Sequence, residues 1–242
     1  MQVSRPAGKP GGYLVWMEDG FQFFLGELSR VDDERLELPS SLPGWTRKHV
    51  AAHVGLNARA ARRLVHWAKT GEATPMYSSA SARTDEIADG ALLSGNRLRQ
   101  LVQVEQAALS TQMDGLSNAN WSTEVVTGQG RTITATEIPW IRAREVWIHA
   151  VDLNAGGDFA DFPAAFVDKL IDEAVAKHRA GDTPTLEVCL TDREDDRSVS
   201  VHEANAPVEG AASDLARWLT RREARGLRRS DGTPLPELGP WL

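Results

Sequence analysis

The residues best suited to chemistry fall in two helical stretches. In Arg144-Glu145-Val146-Trp147-Ile148-His149 a carboxylate and an imidazole stand four positions apart, which makes them neighbours on one helix face. Their stripe includes Ile138, Ile141 and Ile148, and Trp140 and Trp147 make the adjoining face apolar, so the helix reads as buried. A buried carboxylate is rarely tolerated without a partner. The second stretch is a seam. Positions 46, 50, 53, 57, 60, 64 and 67 alternate steps of four and three and read Thr46, Val50, His53, Asn57, Ala60, Leu64 and Trp67. Such a seam faces a bundle core, and His53 and Asn57 stand where apolar residues are expected. Alanines at 51, 52, 58, 60 and 61 leave room around them.

Two imidazoles and a carboxylate from facing helices suit zinc or another divalent metal, and three protein ligands leave a fourth position open, as in catalytic sites. Plainer readings stand beside this one. A seam histidine often satisfies itself by hydrogen bonding in the core, and a Glu-x3-His pair often forms a surface pair or a local network. His49, four residues before His53, offers a competing His-x3-His pair but falls off the seam. Asp152, three residues after His149, is either an acceptor for a metal-bound histidine or a solvent-facing residue at the helix end. His66, His178 and His202 have no partner at a ligating spacing.

A third feature is cationic. Residues 217–229 hold Arg217, Arg221, Arg222, Arg225, Arg228 and Arg229 against a single Glu223. On a helix, Arg217, Arg221 and Arg225 align at four-residue steps. The plain reading is a solvated face; the functional one is capture of a carboxylate-bearing substrate by the bidentate guanidinium. Gly226 would end the helix and let Arg225 point into a cleft. Cys189 alternates out of phase with Leu186, Val188 and Leu190, has no adjacent base, and reads as structural.

The elements that must carry these groups are mostly helices. Helices are expected over 13–29, 46–70 starting at the Thr46 cap, 84–113 with Gly90 and Gly95 weakening its middle, and 135–153 with Pro139 early and Gly156-Gly157 closing it. A loop with short strands separates the last two at Trp121–Arg131. Four long helices suggest a bundle. The rest reads as a helix over 163–180, a hairpin of strands 185–191 and 197–203, and a helix over 211–225. The fold class is therefore α+β, with a helical domain over 1–158 and a small α+β domain over 159–242.

Composition sets the outer limits. The chain of 242 residues is 41% hydrophobic and 25% charged, which excludes a mainly disordered, collagen-like or coiled-coil protein. No apolar run approaches a membrane span, and Met1–Gly12 lacks the apolar core of a secretory signal. With one cysteine there is no internal disulfide and no thiolate-rich metal site, and a cytoplasmic location is expected. Against 34 acidic residues stand 27 basic ones, a net charge of −7, so neither nucleic acid nor a membrane surface is an expected partner.

These residues resemble a known family. Gly44-Trp45-Thr46, Ala52-His53-Val54, Asn57-Ala58, His66-Trp67-Ala68, Thr70-Gly71-Glu72, Thr74-Pro75-Met76-Tyr77, Gln129-Gly130-Arg131-Thr132, the block from Arg144 to Leu153, and the tail from Arg225-Gly226 to Pro240-Trp241-Leu242 are similar to the mycothiol-dependent maleylpyruvate isomerases. The similarity is densest over 44–77 and 128–153 and thin over 160–215. It implies an N-terminal DinB-like metal-binding four-helix bundle, with a C-terminal α+β domain completing the site. It implies His53, Glu145 and His149 as ligands of zinc or another divalent metal, and Arg225 as the catalytic arginine. Arg221 and Arg222 depart from the family pattern, so a shift of register among the three would exchange roles. The activity implied is cis–trans isomerisation of maleylpyruvate to fumarylpyruvate in the gentisate pathway of aromatic catabolism. Mycothiol would serve as the external thiol, a small dicarboxylate as the substrate, and the chain as a monomer. Two alternatives use the same bundle motifs: a mycothiol S-transferase acting on electrophiles, and a non-catalytic metal-binding module. Under any thiol chemistry the working sulfur comes from a bound cofactor rather than from Cys189.

Overall fold

Helix α1 (Gly11–Ser29) buries Met17, Phe21, Phe24 and Leu28, a run of four-three-four steps that keeps one stripe on the core. In the computed structural model, which describes residues 8–79, 81–179, 186–194, 197–200, 206–239 and 241, the chain divides into two units, 1–157 and 158–242. In the first unit α1 packs on α7 (Ile138–Asp152), and α3 (Arg47–Thr70) packs on α7 and on α5 (Gly95–Asp114). These four form the bundle. Short helices α2 (Asp33–Leu36) and α6 (Asn118–Trp121) and a hairpin of β1 (Glu124–Val126) with β2 (Thr132–Thr134) connect them.

Small residues set the close approaches. A Cβ on Gly20 of α1 would lie 2.5 Å from Trp147 Cδ1, so the indole of α7 lies directly against the α1 backbone. Its Nε1 donates to the Trp16 carbonyl at 2.8 Å. The helix expected over 84–113 is in fact two, α4 (Ala82–Ala91) and α5. Ser94 restarts the helix by accepting from the Arg97 N–H, and Gly90 admits α4 to α3, where a Cβ would meet that of Ala52 at 2.9 Å. Pro139 occupies the first turn of α7, where a missing N–H costs nothing. The helix stops at Asp152, and Asn154 (φ 50°) takes the left-handed position expected of Gly156-Gly157.

The second unit holds α8 (Ala164–Arg179), α9 (Ala212–Leu219) and a four-stranded sheet in the order β4-β3-β5-β6. Strands β3 (Glu187–Leu190) and β4 (Ser198–Ser200) pair antiparallel with Val188 opposite Val199, and Leu186, Val188 and Leu190 face the core. Residues 180, 185 and 201–203 of the expected elements, His202, and Pro240 and Leu242 of the tail lie outside the described residues. Strand β5 (Val208–Gly210) pairs parallel to β3 and antiparallel to β6 (Arg228–Arg229). Neither was expected, because three and two residues are too few to show a period.

Helix α9 ends at Leu219 rather than near 225. The Arg221 N–H donates to the Trp218 carbonyl, the Arg222 N–H donates to the Arg217 carbonyl, and Arg221 sits at φ 67°. This is a Schellman ending with a non-glycine residue at the left-handed position. Arg217, Arg221 and Arg225 therefore do not share one helix face. Among the described residues no helix is long and apolar enough to cross a membrane.

Candidate metal centre

Two helices bring His53, Glu145 and His149 together. On α3 the first turn is closed by Thr46, whose N–H donates to His49 Nδ1 at 3.3 Å and whose hydroxyl lies 2.8 Å from the same nitrogen. That nitrogen serves the helix cap, and among the described residues His49 is not part of the grouping that could hold a metal ion. One turn further on, His53 is 2% exposed among alanines and under the edge of Trp45, with ring centroids 5.6 Å apart. On α7 the side chains of Glu145 and His149 are each 14% exposed. Glu145 Oε2 lies 2.8 Å from His53 Nε2 and 3.3 Å from His149 Nε2. The imidazoles stand nearly perpendicular, with centroids 4.7 Å apart. One ligand atom from each of the three residues falls within 4.8 Å of the others, a grouping that can hold a metal ion.

Asp152 is not the solvent-facing helix-end residue that the sequence also allowed. It is fully buried, and its Oδ2 accepts from His149 Nδ1 at 2.8 Å. This bond fixes the ring so that Nε2 faces Glu145 and His53. The electrostatics suit a cation. Burial pushes His53 down to about 4 against the opposing pull of Glu145, so its imidazole is neutral at neutral pH. Burial alone would raise Glu145, but hydrogen bonds from His149 and His53 outweigh it and hold the carboxyl well below its ordinary range. Burial would likewise lower His149, but Asp152 and then Glu145 prevail and raise it. A neutral imidazole, an ionised carboxylate and an imidazole locked with its Nε2 inward are the donors a divalent metal requires.

Asn57, the other polar seam residue, accepts from Arg142 Nη1 at 2.9 Å. Arg142 escaped the sequence reading, although Ile138, Arg142, Glu145 and His149 share one stripe of α7. Tyr77 is half-buried, with its ring 3.2 Å from where a Cβ on Gly128 would stand, and burial raises its phenol above the ordinary value. His178 is a core histidine, with Nε2 at 3.2 Å from the Leu219 carbonyl.

The second unit carries the arginines. Arg225 lies in the segment after α9, about half exposed, with Nη2 on Asp158 Oδ2 and Nε 3.2 Å from Asp214 Oδ1. Asp158 also meets Arg217 Nη2 at 2.6 Å, and Arg217 lies over the Phe159 ring. The other arginines of the run are engaged elsewhere: Arg221 on the Leu238 carbonyl, Arg222 on that of Thr220, Arg228 on Glu209 and Arg229 on Asp231.

Comparison with known proteins agrees with these observations. Residues 17–154 match the family model described as the mycothiol maleylpyruvate isomerase N-terminal domain. A crystal structure of the mycothiol-dependent maleylpyruvate isomerase is 37% identical, covers 96% of this chain and 97% of its own, and superposes with a TM-score of 0.87. A histidine-to-alanine variant of such an enzyme is 36% identical at the same coverage and TM-score. No curated protein sequence matches at a significant level. A family match over more than half of the chain, with full-length likeness to a solved member, places this chain in the mycothiol maleylpyruvate isomerase family.

Proposed function

We propose that this protein is a metal- and mycothiol-dependent isomerase that converts maleylpyruvate to fumarylpyruvate, a step of the gentisate pathway. The observation that carries the proposal is the convergence of His53, Glu145 and His149 within 4.8 Å, in a chain that aligns end to end with an enzyme of that name.

A divalent ion such as zinc, with the thiol of mycothiol, would supply a thiolate that adds to the carbon–carbon double bond, frees it to rotate as a single bond, and then leaves. The chain's own residues prepare for this chemistry. His53 and His149 offer Nε2, and Glu145 offers Oε2 as an anion that offsets part of the cation's charge. Asp152 holds His149 in its ligating orientation. We assign Arg225 the role of meeting substrate carboxylate, or the negative charge that builds on the substrate as the double bond is attacked. Asp158 and Asp214 hold its guanidinium in place. We take the substrate and the thiol as the only partners, with the chain acting as a cytoplasmic monomer.

The test is an ultraviolet assay of maleylpyruvate with metal-loaded protein, with and without mycothiol. Fumarylpyruvate should form only when thiol is present. Turnover without thiol would refute the mechanism, and accumulation of a thiol conjugate would identify a transferase instead.

A further inference from the structure

The side chain of Arg142 is fully buried. Its Nη1 donates to the Val54 carbonyl and to Asn57 Oδ1, both at 2.9 Å, and its Nε donates to Gln106 Oε1 at 3.0 Å. All three acceptors are neutral. Nη2 has no hydrogen-bond partner among the described residues, nor does Nε2 of the adjoining Gln106. A buried charge carries a large desolvation penalty and is ordinarily matched by an opposite charge in contact. Arg142 has no such contact among the described residues. Burial lowers it to about 10, with Glu145 and then Tyr77 pulling the other way, so it keeps its proton at neutral pH.

The position of this charge is specific. Arg142 lies one turn before Glu145 on α7, and its acceptors on α3 follow His53 by one and four residues. A core polar residue serving only to join helices would do so more cheaply as an amide. Instead a permanent cation stands beside the two helix segments that carry the candidate ligands. A fixed positive charge repels a second cation and attracts an anion.

We propose that Arg142 is a positioning residue acting through the metal centre: its buried, incompletely paired guanidinium weakens cation binding there and strengthens the binding of an anionic ligand, a thiolate above all. The inference rests on His53, Glu145 and His149 being metal ligands. In an effective dielectric of about 20, a unit charge even ~10 Å from another alters a binding constant by roughly tenfold.

The experiment compares wild type, Arg142→Gln, which removes the charge but can still bond, and Arg142→Lys, which keeps the charge but loses the fork. Cobalt(II) affinity is measured against a chromophoric chelator. The pH midpoint for N-acetylcysteine binding is read from the sulfur-to-cobalt charge-transfer band of the loaded protein. Arg142→Gln should bind cobalt roughly tenfold more tightly and move the thiol midpoint up by about one pH unit. Arg142→Lys should match wild type in both within about threefold, even if its melting temperature falls. A purely structural residue predicts the reverse sign, with weaker cobalt binding in both variants, and that result overturns the proposal. If Arg142→Gln does not fold, a displaced midpoint in Arg142→Lys overturns it alone. Wild type that binds no cobalt overturns the metal-centre reading and this proposal with it, whereas normal cobalt binding with an unchanged Arg142→Gln removes only this proposal.

Discussion

Replacing Asp152 by asparagine tests how the centre is built without touching a ligand. Asp152 is fully buried and accepts from His149 Nδ1 at 2.8 Å, so the substitution changes one charge and little volume. A hydrogen bond to a charged group contributes about 1.5–3 kcal/mol against about 0.5–1.5 for a neutral one. The loss of about 1–2 kcal/mol falls on the basicity and orientation of Nε2. That predicts metal affinity about tenfold weaker, at the lower end of the ~10–100-fold range for removal of such outer partners. Proton competition must be kept apart from this effect. His149 is raised in the folded protein, chiefly by Asp152 acting against burial, so a metal must displace a proton whose hold weakens only as pH climbs above the ordinary value of 6.5. Affinity in the wild type should therefore rise with pH through that region. Asp152→Asn lowers the folded value, which relieves competition and masks part of the defect near neutrality. The assay is zinc titration against a fluorescent chelator over a rising pH series, with the two proteins compared on the plateau where neither affinity changes further with pH and proton competition has ended. Without metal the sign reverses. The raised His149 adds stability that is complete below 6.5 and is lost as pH rises through its folded value, and the variant should lack that slope. An affinity within threefold of wild type at high pH, in a folded variant, would refute the reasoning.

Arg225→Ala should lower kcat/KM by roughly a hundredfold with metal still bound, whereas Asp158→Asn, which loosens Arg225 without removing it, should act about tenfold and mainly on KM. Steady-state kinetics on metal-loaded protein separate the two, and full turnover in Arg225→Ala shows the assignment to be wrong. Gly20→Ala puts a methyl 2.5 Å from Trp147 Cδ1 and should cost about 1–3 kcal/mol, read as a fall in melting temperature. Glu105, 6% exposed, takes bonds from Arg59 and Arg62, whose side chains are 42% and 32% exposed, so Glu105→Gln should cost only about 1 kcal/mol at neutral pH. Burial would raise Glu105, but the two arginines lower it below 4.5. Its contribution is therefore present above that value and lost as pH falls through the folded one, so melting curves of wild type and variant should converge in acid.

The bundle was legible because helical periodicity is a local property. The four-three seam of α3 puts His53 and Asn57 on a core face, and the four-residue step from Glu145 puts His149 beside it. Polar residues on such faces mark themselves by the cost of leaving them unpaired. Arg142 shares the stripe but was passed over, because one arginine among Arg142, Arg144 and the nearby charges carries no local sign of burial. The break between α4 and α5 was half visible in Gly90 and Gly95. The end of α9 was not, because Arg221 at φ 67° contradicts its own intrinsic preference. The pairing of β5 beside β3 was equally hidden, since a parallel pair is set by long-range packing and not by the three residues of the strand.

By itself, the sequence determined three of the four bundle helices to within a few residues and the residue types fit for a divalent metal. Periodicity and composition act over a few residues, and those properties need nothing more. Tertiary structure alone decided which of three polar roles each residue takes. His49 closes its helix, Asn57 holds Arg142, and His53 meets Glu145 and His149 within 4.8 Å. It also turned Asp152 inward, gathered Arg217 and Arg225 on Asp158, and sent Arg221 and Arg228 to other partners. These outcomes depend on which helix lies opposite which and at what height, and that is settled by packing between segments 92 residues apart, as for His53 and Glu145.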